Sequence, residues 1–269
     1  MERFVSPLLV LFTRFSASAS DTVARPDWRK FFDAKGLRGT FVLLEPARDR
    51  YLVLDESRAR TRYLPASTFK IANALIGLEI GSITDEREVF HWDGRPKPIP
   101  AWERDHTLAT GMRESVIWMF QEIARRTGKE RMREWLDRLE YGNRDIGGGI
   151  DLFWLQGALR VSAMEQVDFL RRLSEGELPM TQRSQRLVRE ALILEKTSAY
   201  TLYAKTGTAN SVKQPVSWWI GWIEKKGRPA AYFAMNITPT KSTRHEDRFA
   251  VARAILDDAG VLPSGSPPS

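Results

Sequence analysis

The stretch LPASTFKIANALIGLEIG, residues 64–81, sets a lysine among apolar neighbours. Ser67 opens the pattern, Lys70 follows three residues later, and Phe69, Ile71, Ala72, Ala74, Leu75 and Ile76 surround it. Pro65 at or before the first turn and Gly81 at the end predict a helix over residues 67–80. Positions i and i+3 share a helix face, so Ser67 and Lys70 meet. Ser67 also falls in the first turn, where the helix dipole favours developing negative charge. Burying a charge is costly. Either the ammonium reaches back to water along its stem, or the lysine gives up its proton, because apolar burial lowers an amine pKa. In the second case it can serve as the base that a serine nucleophile needs. The S-x-x-K spacing alone is common and leaves both readings open.

Outward from this helix, GTFVLLEP (39–46) and RYLVLD (50–55) read as two strands joined by a turn. A Trp- and Pro-rich loop covers 91–105. Helices are predicted over 113–127, stopped by Gly128, and over 130–139. Residues 141–160, with Gly142, Gly147, Gly148, Gly149 and Gly157, predict a long loop. Ser162 with Glu165 forms a capping box ahead of the next helix, and 180–194 reads as another. Three strands follow, at 199–207, 216–224 and 230–238, then a final helix over about 246–259. Strands at both ends and helices between them predict a mixed α/β chain of the α+β type. One antiparallel sheet is flanked by helices, beside an all-helical subdomain. The sheet part covers 20–62 and 197–262 and the helical part 63–196, as one catalytic domain over 20–262 with the groove between the parts as the site.

The chain has 269 residues and a net charge of +7. Its basic residues alternate with acids, as in EIARRTGKERMREWLDRLE (122–140), which marks solvated helix faces rather than a nucleic-acid surface. Arg3, the apolar SPLLVLFT and the small-residue ASAS read as a signal peptide over 1–19, cleaved after Ala19. Loss of Glu2, Arg3 and Arg14 would leave +6. Periplasmic or secreted localisation is therefore expected, with no membrane span, and residues 263–269 are expected to be a disordered tail. There are no cysteines. His91, His106 and His245 show no paired ligand spacing, so no metal is expected and they read as loop or surface residues.

Further motifs narrow the chemistry. AKTGTA (204–209) ends a strand with a cation at Lys205, a hydroxyl at Thr206 and, at Gly207, room for close approach. Together they suit a substrate carboxylate. Ser115 in ESVIW stands near a helix start as a proton relay or a plain N-cap. Trp154, in DLFWLQG, carries an indole N–H that must find an acceptor if buried. S-x-x-K followed by K-T-G is a signature of serine β-lactamases and penicillin-binding proteins.

With PASTFKIANALIGLE, WERDHTLATGMRES, YGN, FWLQG, KTG and WWIGWIE, the chain resembles the class D, or OXA-type, serine β-lactamases from about residue 28 to 260. The resemblance implies the serine β-lactamase/penicillin-binding-protein fold and hydrolysis of the β-lactam amide of penicillin-type antibiotics. It implies Ser67 as nucleophile and Lys70 as general base, carboxylated by CO₂ or bicarbonate to N6-carboxylysine, with no other cofactor. Phe69, Ile117 and Trp154 would wall that amine, and Trp154 and Ser67 would donate to the carboxyl group. The backbone N–H groups of Ser67 and Thr208 would form the oxyanion hole. Ser115, helped by Lys205, would protonate the leaving nitrogen. Thr206, Gly207, Thr208, Ile117 and Trp102 would line the substrate. An arginine would clamp its carboxylate, Arg248 by spacing and Arg244 as the alternate. A homodimer is compatible with the resemblance.

Two positions depart from the family. Ile117 stands where valine is usual, and Trp118 where proline is common, which bears on deacylation more than on acylation. Two rivals share the serine-lysine motif. One is a penicillin-sensing domain that acylates and stays acylated, and the other is a small penicillin-binding transpeptidase or carboxypeptidase, which needs no carboxylated lysine.

Overall fold

The computed structural model describes residues 21–262. The expected signal peptide and the expected tail lie outside the described residues. Seven strands form one sheet: β1 (Asp21–Ala24), β2 (Gly39–Glu45), β3 (Arg50–Leu54), β4 (Ile193–Lys196), β5 (Thr201–Ala209), β6 (Val216–Lys225) and β7 (Arg228–Ile237). Their order is β1-β3-β2-β7-β6-β5-β4. Neighbours are antiparallel except β1 and β3, which run parallel. The helices among the described residues are α1 (Arg29–Asp33), α2 (Glu56–Arg60), α3 (Lys70–Glu79), α4 (Leu108–Arg113), α5 (Ile117–Thr127), α6 (Lys129–Arg138), α7 (Ala163–Glu175), α8 (Gln182–Ala191) and α9 (Asp247–Asp258). None is long and apolar enough to cross a membrane.

The sheet is covered on both faces. Trp28, Phe41, Trp219, Phe233 and Ile255 fill the layer beneath α1 and α9, and a larger core joins the opposite face to the helical part. Central strands with no wet face read as continuous apolar runs rather than alternating ones, as VSWWIGWI does in β6. Ser162 and Glu165 cap α7 reciprocally. Asn73 Nδ2 donates to the Phe120 carbonyl at 2.8 Å and ties α3 to α5.

Three expectations are corrected. The helix expected over 113–127 begins only at Ile117, because α4 ends at Arg113 and Ser115 lies in the break between α4 and α5 with φ of 55°. The helix expected over 180–194 stops at Ala191, and the next residues pair as edge strand β4 with Ile193 and Leu194 exposed. The sheet part therefore resumes at 193 rather than 197. The sheet is also not wholly antiparallel, because β1, four residues long, joins it alongside β3.

Candidate active site

Ser67 sits in a 3-10 turn, Ala66–Phe69, that runs directly into α3. Ala66 takes a left-handed φ of 49°, a conformation that costs an L-residue energy and tends to gather at functional sites. It is held from outside: the Ala66 N–H donates to the Trp154 carbonyl at 3.0 Å, and Trp218 Nε1 donates to the Leu64 carbonyl at 2.8 Å. Thr68 Oγ1 donates to the Pro65 carbonyl and accepts from Gln166 Nε2.

Lys70 is fully buried. Its Nζ lies 2.6 Å from Ser67 Oγ and 3.1 Å from Ser115 Oγ, with the Phe120 ring centroid at 5.6 Å. Burial, and then the nearby charge of Lys205, push its pKa well below the ordinary lysine value. Of the two readings open for this lysine, the structure supports the second: the stem does not reach water. Phe120 is a wall of the amine that the sequence reading missed, and Phe69, expected as a wall, packs against Phe153 and Trp154. Ile117, at the start of α5, is only partly buried.

Trp154 is completely buried, and its Nε1 has no hydrogen-bond partner among the described residues. A buried donor left unpaired is costly, so an acceptor not made of protein fits here.

Lys205 Nζ donates to Ser115 Oγ at 2.9 Å and to the Thr206 carbonyl at 3.3 Å. Burial, then Arg248, bring its pKa down to about 7. Ser115 thus stands between two buried amines. Its turn is fixed by two indoles: Trp102 Nε1 donates to the Glu114 carbonyl, and Trp118 Nε1 to the Trp102 carbonyl. Trp102, expected to line the substrate, is instead largely buried behind this turn.

Burial along β5 alternates the layers. Tyr203 and Ala209 belong to the core against the helices, whereas Leu202 and Ala204 pack with the core beneath α9. Lys205 and Gly207 share the first face, Thr206 and Thr208 the second. The hydroxyl beside the arginine is accordingly that of Thr208, not Thr206. Arg248 Nη1 donates to Thr208 Oγ1 at 2.9 Å and to Ser217 Oγ at 2.6 Å. Between the two arginines, Arg248 is the one brought to the K-T-G strand, while Arg244 is exposed and pairs with Asp247 at 3.0 Å. A cleft of about 550 Å³ opens beside Arg248, lined also by Thr208, Ser217, Lys241, Arg244 and His245. Ser217 was not singled out in the sequence, since nothing in its spacing marks it. His91 and His245 are exposed, in line with the loop-or-surface expectation, whereas His106 lies in its loop but is buried; His245 also contacts Arg248.

Both buried lysines bind their protons less tightly in the folded chain than in an unfolded one, where lysine titrates near ~10.4. From pH 7 upward the unfolded state therefore holds more protons, and stability rises with pH through that window. We expect the thermal midpoint to climb between pH 7 and 9 and Lys205→Met to flatten the climb. An unchanged slope in that variant would show that Lys205 is not held in this way.

The chain matches the penicillin binding protein transpeptidase domain over residues 39–257. It is 40% identical to β-lactamase OXA-5 of Pseudomonas aeruginosa, with 98% of this chain and 100% of that one covered. It is 38% identical to β-lactamase OXA-48 of Klebsiella pneumoniae, with 92% and 93% covered. Among solved structures it resembles FUS-1 (OXA-85), a class D β-lactamase from Fusobacterium nucleatum, with a TM-score of 0.85 at 37% identity, covering 89% of this chain and 100% of that one.

Proposed function

The chain belongs to the class D serine β-lactamases, and from that premise we propose that it hydrolyses the cyclic amide of β-lactam antibiotics through an ester on Ser67 Oγ. The observation that carries this reading is the buried Lys70 amine 2.6 Å from Ser67 Oγ. Ser67 passes its proton to the unprotonated Nζ as Oγ bonds to the lactam carbonyl carbon. The backbone N–H groups of Ser67 and Thr208 hold the oxygen that becomes negative. As the ring C–N bond breaks, Ser115 gives its proton to the nitrogen and takes one from Lys205, whose pKa of about 7 suits exchange at neutral pH. Arg248 and Thr208 hold the substrate carboxylate, a task for which a guanidinium fork is suited. Lys70 next returns its proton through Ser115 to Lys205. Water then attacks the acyl carbon and gives a proton to Lys70 Nζ, and Lys70 passes it to Ser67 Oγ as the ester C–O bond breaks, which releases the ring-opened acid.

The family resemblance adds a carboxyl group on Lys70 Nζ, taken from CO₂. The residues fit it: CO₂ adds to an unprotonated amine, and Trp154 Nε1 is an orphaned buried donor on a ring that packs tilted against Phe69. Trp154 and Ser67 are the residues that would hold it. When bound, the group supplies an anionic oxygen base in place of the amine nitrogen. Export after cleavage near Ala19 and a homodimer belong to the same reading.

The test is hydrolysis of a chromogenic cephalosporin with and without bicarbonate, beside a ¹³C-bicarbonate NMR measurement of Lys70. We expect many equivalents consumed per enzyme and a carbamate resonance. Trp154→Phe keeps the ring but loses a hydrogen bond to a charged group, which should weaken CO₂ uptake ~10–100-fold, with turnover recovered by added bicarbonate. One equivalent consumed with no further turnover would instead identify a penicillin-sensing domain.

A further inference from the structure

Arg248 is an almost wholly buried cation whose hydrogen-bond acceptors are all neutral. Nη1 meets Thr208 Oγ1 and Ser217 Oγ, Nη2 meets His245 Nε2, and Nε has no partner among the described residues. A guanidinium can only donate, and a protonated imidazole can only donate as well. The contact between Nη2 and Nε2 therefore exists only while His245 is neutral with its proton on Nδ1. Phe249 backs both partners, with the Arg248 guanidinium carbon 4.9 Å from its ring centroid and the His245 ring edge-on at 5.3 Å. Trp219 packs edge-on against Phe249 in turn. The imidazole, exposed to solvent, is thus the acceptor for Nη2, while Nη1 takes the two hydroxyls.

We propose that His245 is the positioning residue of the substrate-carboxylate subsite: neutral, it holds the Arg248 guanidinium beside Thr208, and capture of anionic β-lactams weakens when the imidazole takes a proton. This inference rests on the β-lactamase reading above. Its other surroundings agree. Close to it in the chain, just before and in α9, stand Glu246 and Arg248. Arg244 and Lys241 line the cleft that it shares, and Thr208 and Ser217 across from it are neutral. Burial and Arg248 lower its pKa, and Glu246 opposes them, so the imidazole remains an acceptor at neutral pH. Substrate capture should fail only on the acid side.

The experiment measures KM and kcat between pH 5 and 8 for a penicillin with its free ring carboxylate and for the methyl ester of the same penicillin. For the wild type, KM for the acid should rise as pH falls below the ordinary imidazole range, while KM for the ester should not. His245→Ala should raise KM for the acid about tenfold at pH 7.5, the loss of one charge-assisted hydrogen bond, with a much smaller change in kcat and no further acid-side rise. His245→Gln restores an acceptor that does not titrate. It should bring KM back near the wild-type value at pH 7.5 and abolish the acid-side rise. A mere packing role would leave the pH profile of the Gln variant like that of the wild type, and that result overturns the proposal. So does an unchanged KM in His245→Ala, or a KM that falls with acid because the new charge attracts substrate. No turnover of either penicillin by the wild type would overturn the β-lactamase reading itself, and this inference with it.

Discussion

Lys70→Ala is expected to lower kcat/KM for β-lactam hydrolysis by ~10³-fold or more, near the upper range for removal of a positioned base. The reason is geometric. Ser67 Oγ has Lys70 Nζ at 2.6 Å, and among the described residues no other basic group hydrogen-bonds to it. Lys205 reaches Ser115 rather than Ser67. The loss should fall on the acylation step, so that a stopped-flow trace shows no burst and mass spectrometry finds little adduct after brief mixing. The fold should survive, because the variant removes an amine whose burial disfavours its charged form. Its thermal midpoint should therefore be no lower at pH 7 than the cavity left by the side chain dictates. Acylation within tenfold of the wild-type rate would show that the proton leaves Ser67 by another route.

Gly207→Ala should lower kcat by ~10²-fold, the effect expected when reacting groups are displaced by about 1 Å. A Cβ on residue 207 would stand 2.8 Å from the Pro65 carbonyl oxygen, 3.0 Å from Thr68 N and 3.1 Å from Ser67 N. These are backbone atoms, so no side chain can swing aside to make room. The Ser67 turn and strand β5 must separate, which spreads the two N–H groups of Ser67 and Thr208 assigned to the oxyanion. KM should change less than kcat, because Arg248 approaches Thr208 from the opposite face of β5. Kinetics beside a thermal scan separate this from unfolding, and a variant within about threefold of wild-type kcat would mean that the turn adapts at little cost.

Much of the architecture was legible before any coordinates. Helix α3, the capping box at Ser162, and strands β2, β3, β5, β6 and β7 follow from apolar period, caps and turns. The misses have local causes. Ile193 and Leu194 continue the apolar pattern of a helix, and only pairing with β5 makes them an edge strand. Residues 113–116 look helical, but the left-handed Ser115 is imposed by Trp102 and Trp118, whose hydrogen bonds come from chain segments that the local sequence does not reveal.

The candidate site divides in the same way. Ser67, Lys70, Ser115, Lys205, Trp154 and Arg248 could be named from motifs and resemblance, because the chemistry constrains residue type and spacing. That Thr208 rather than Thr206 meets the arginine, that Phe120 walls the amine, and that His245 and Ser217 share Arg248 could not.

By its sequence alone this chain determines which side chains carry charge, which segments must be buried, and that a serine and a lysine lie one helical turn apart. Only the tertiary structure decides that the lysine is sealed from water, that its neighbour in space is a second lysine, and that an indole N–H is left without an acceptor. The reason is that proton affinity depends on the surroundings in space. Those surroundings are assembled from α3, the α4–α5 break, the Trp154 loop and β5, which are separated by tens of residues in the chain and adjoin only when it is folded.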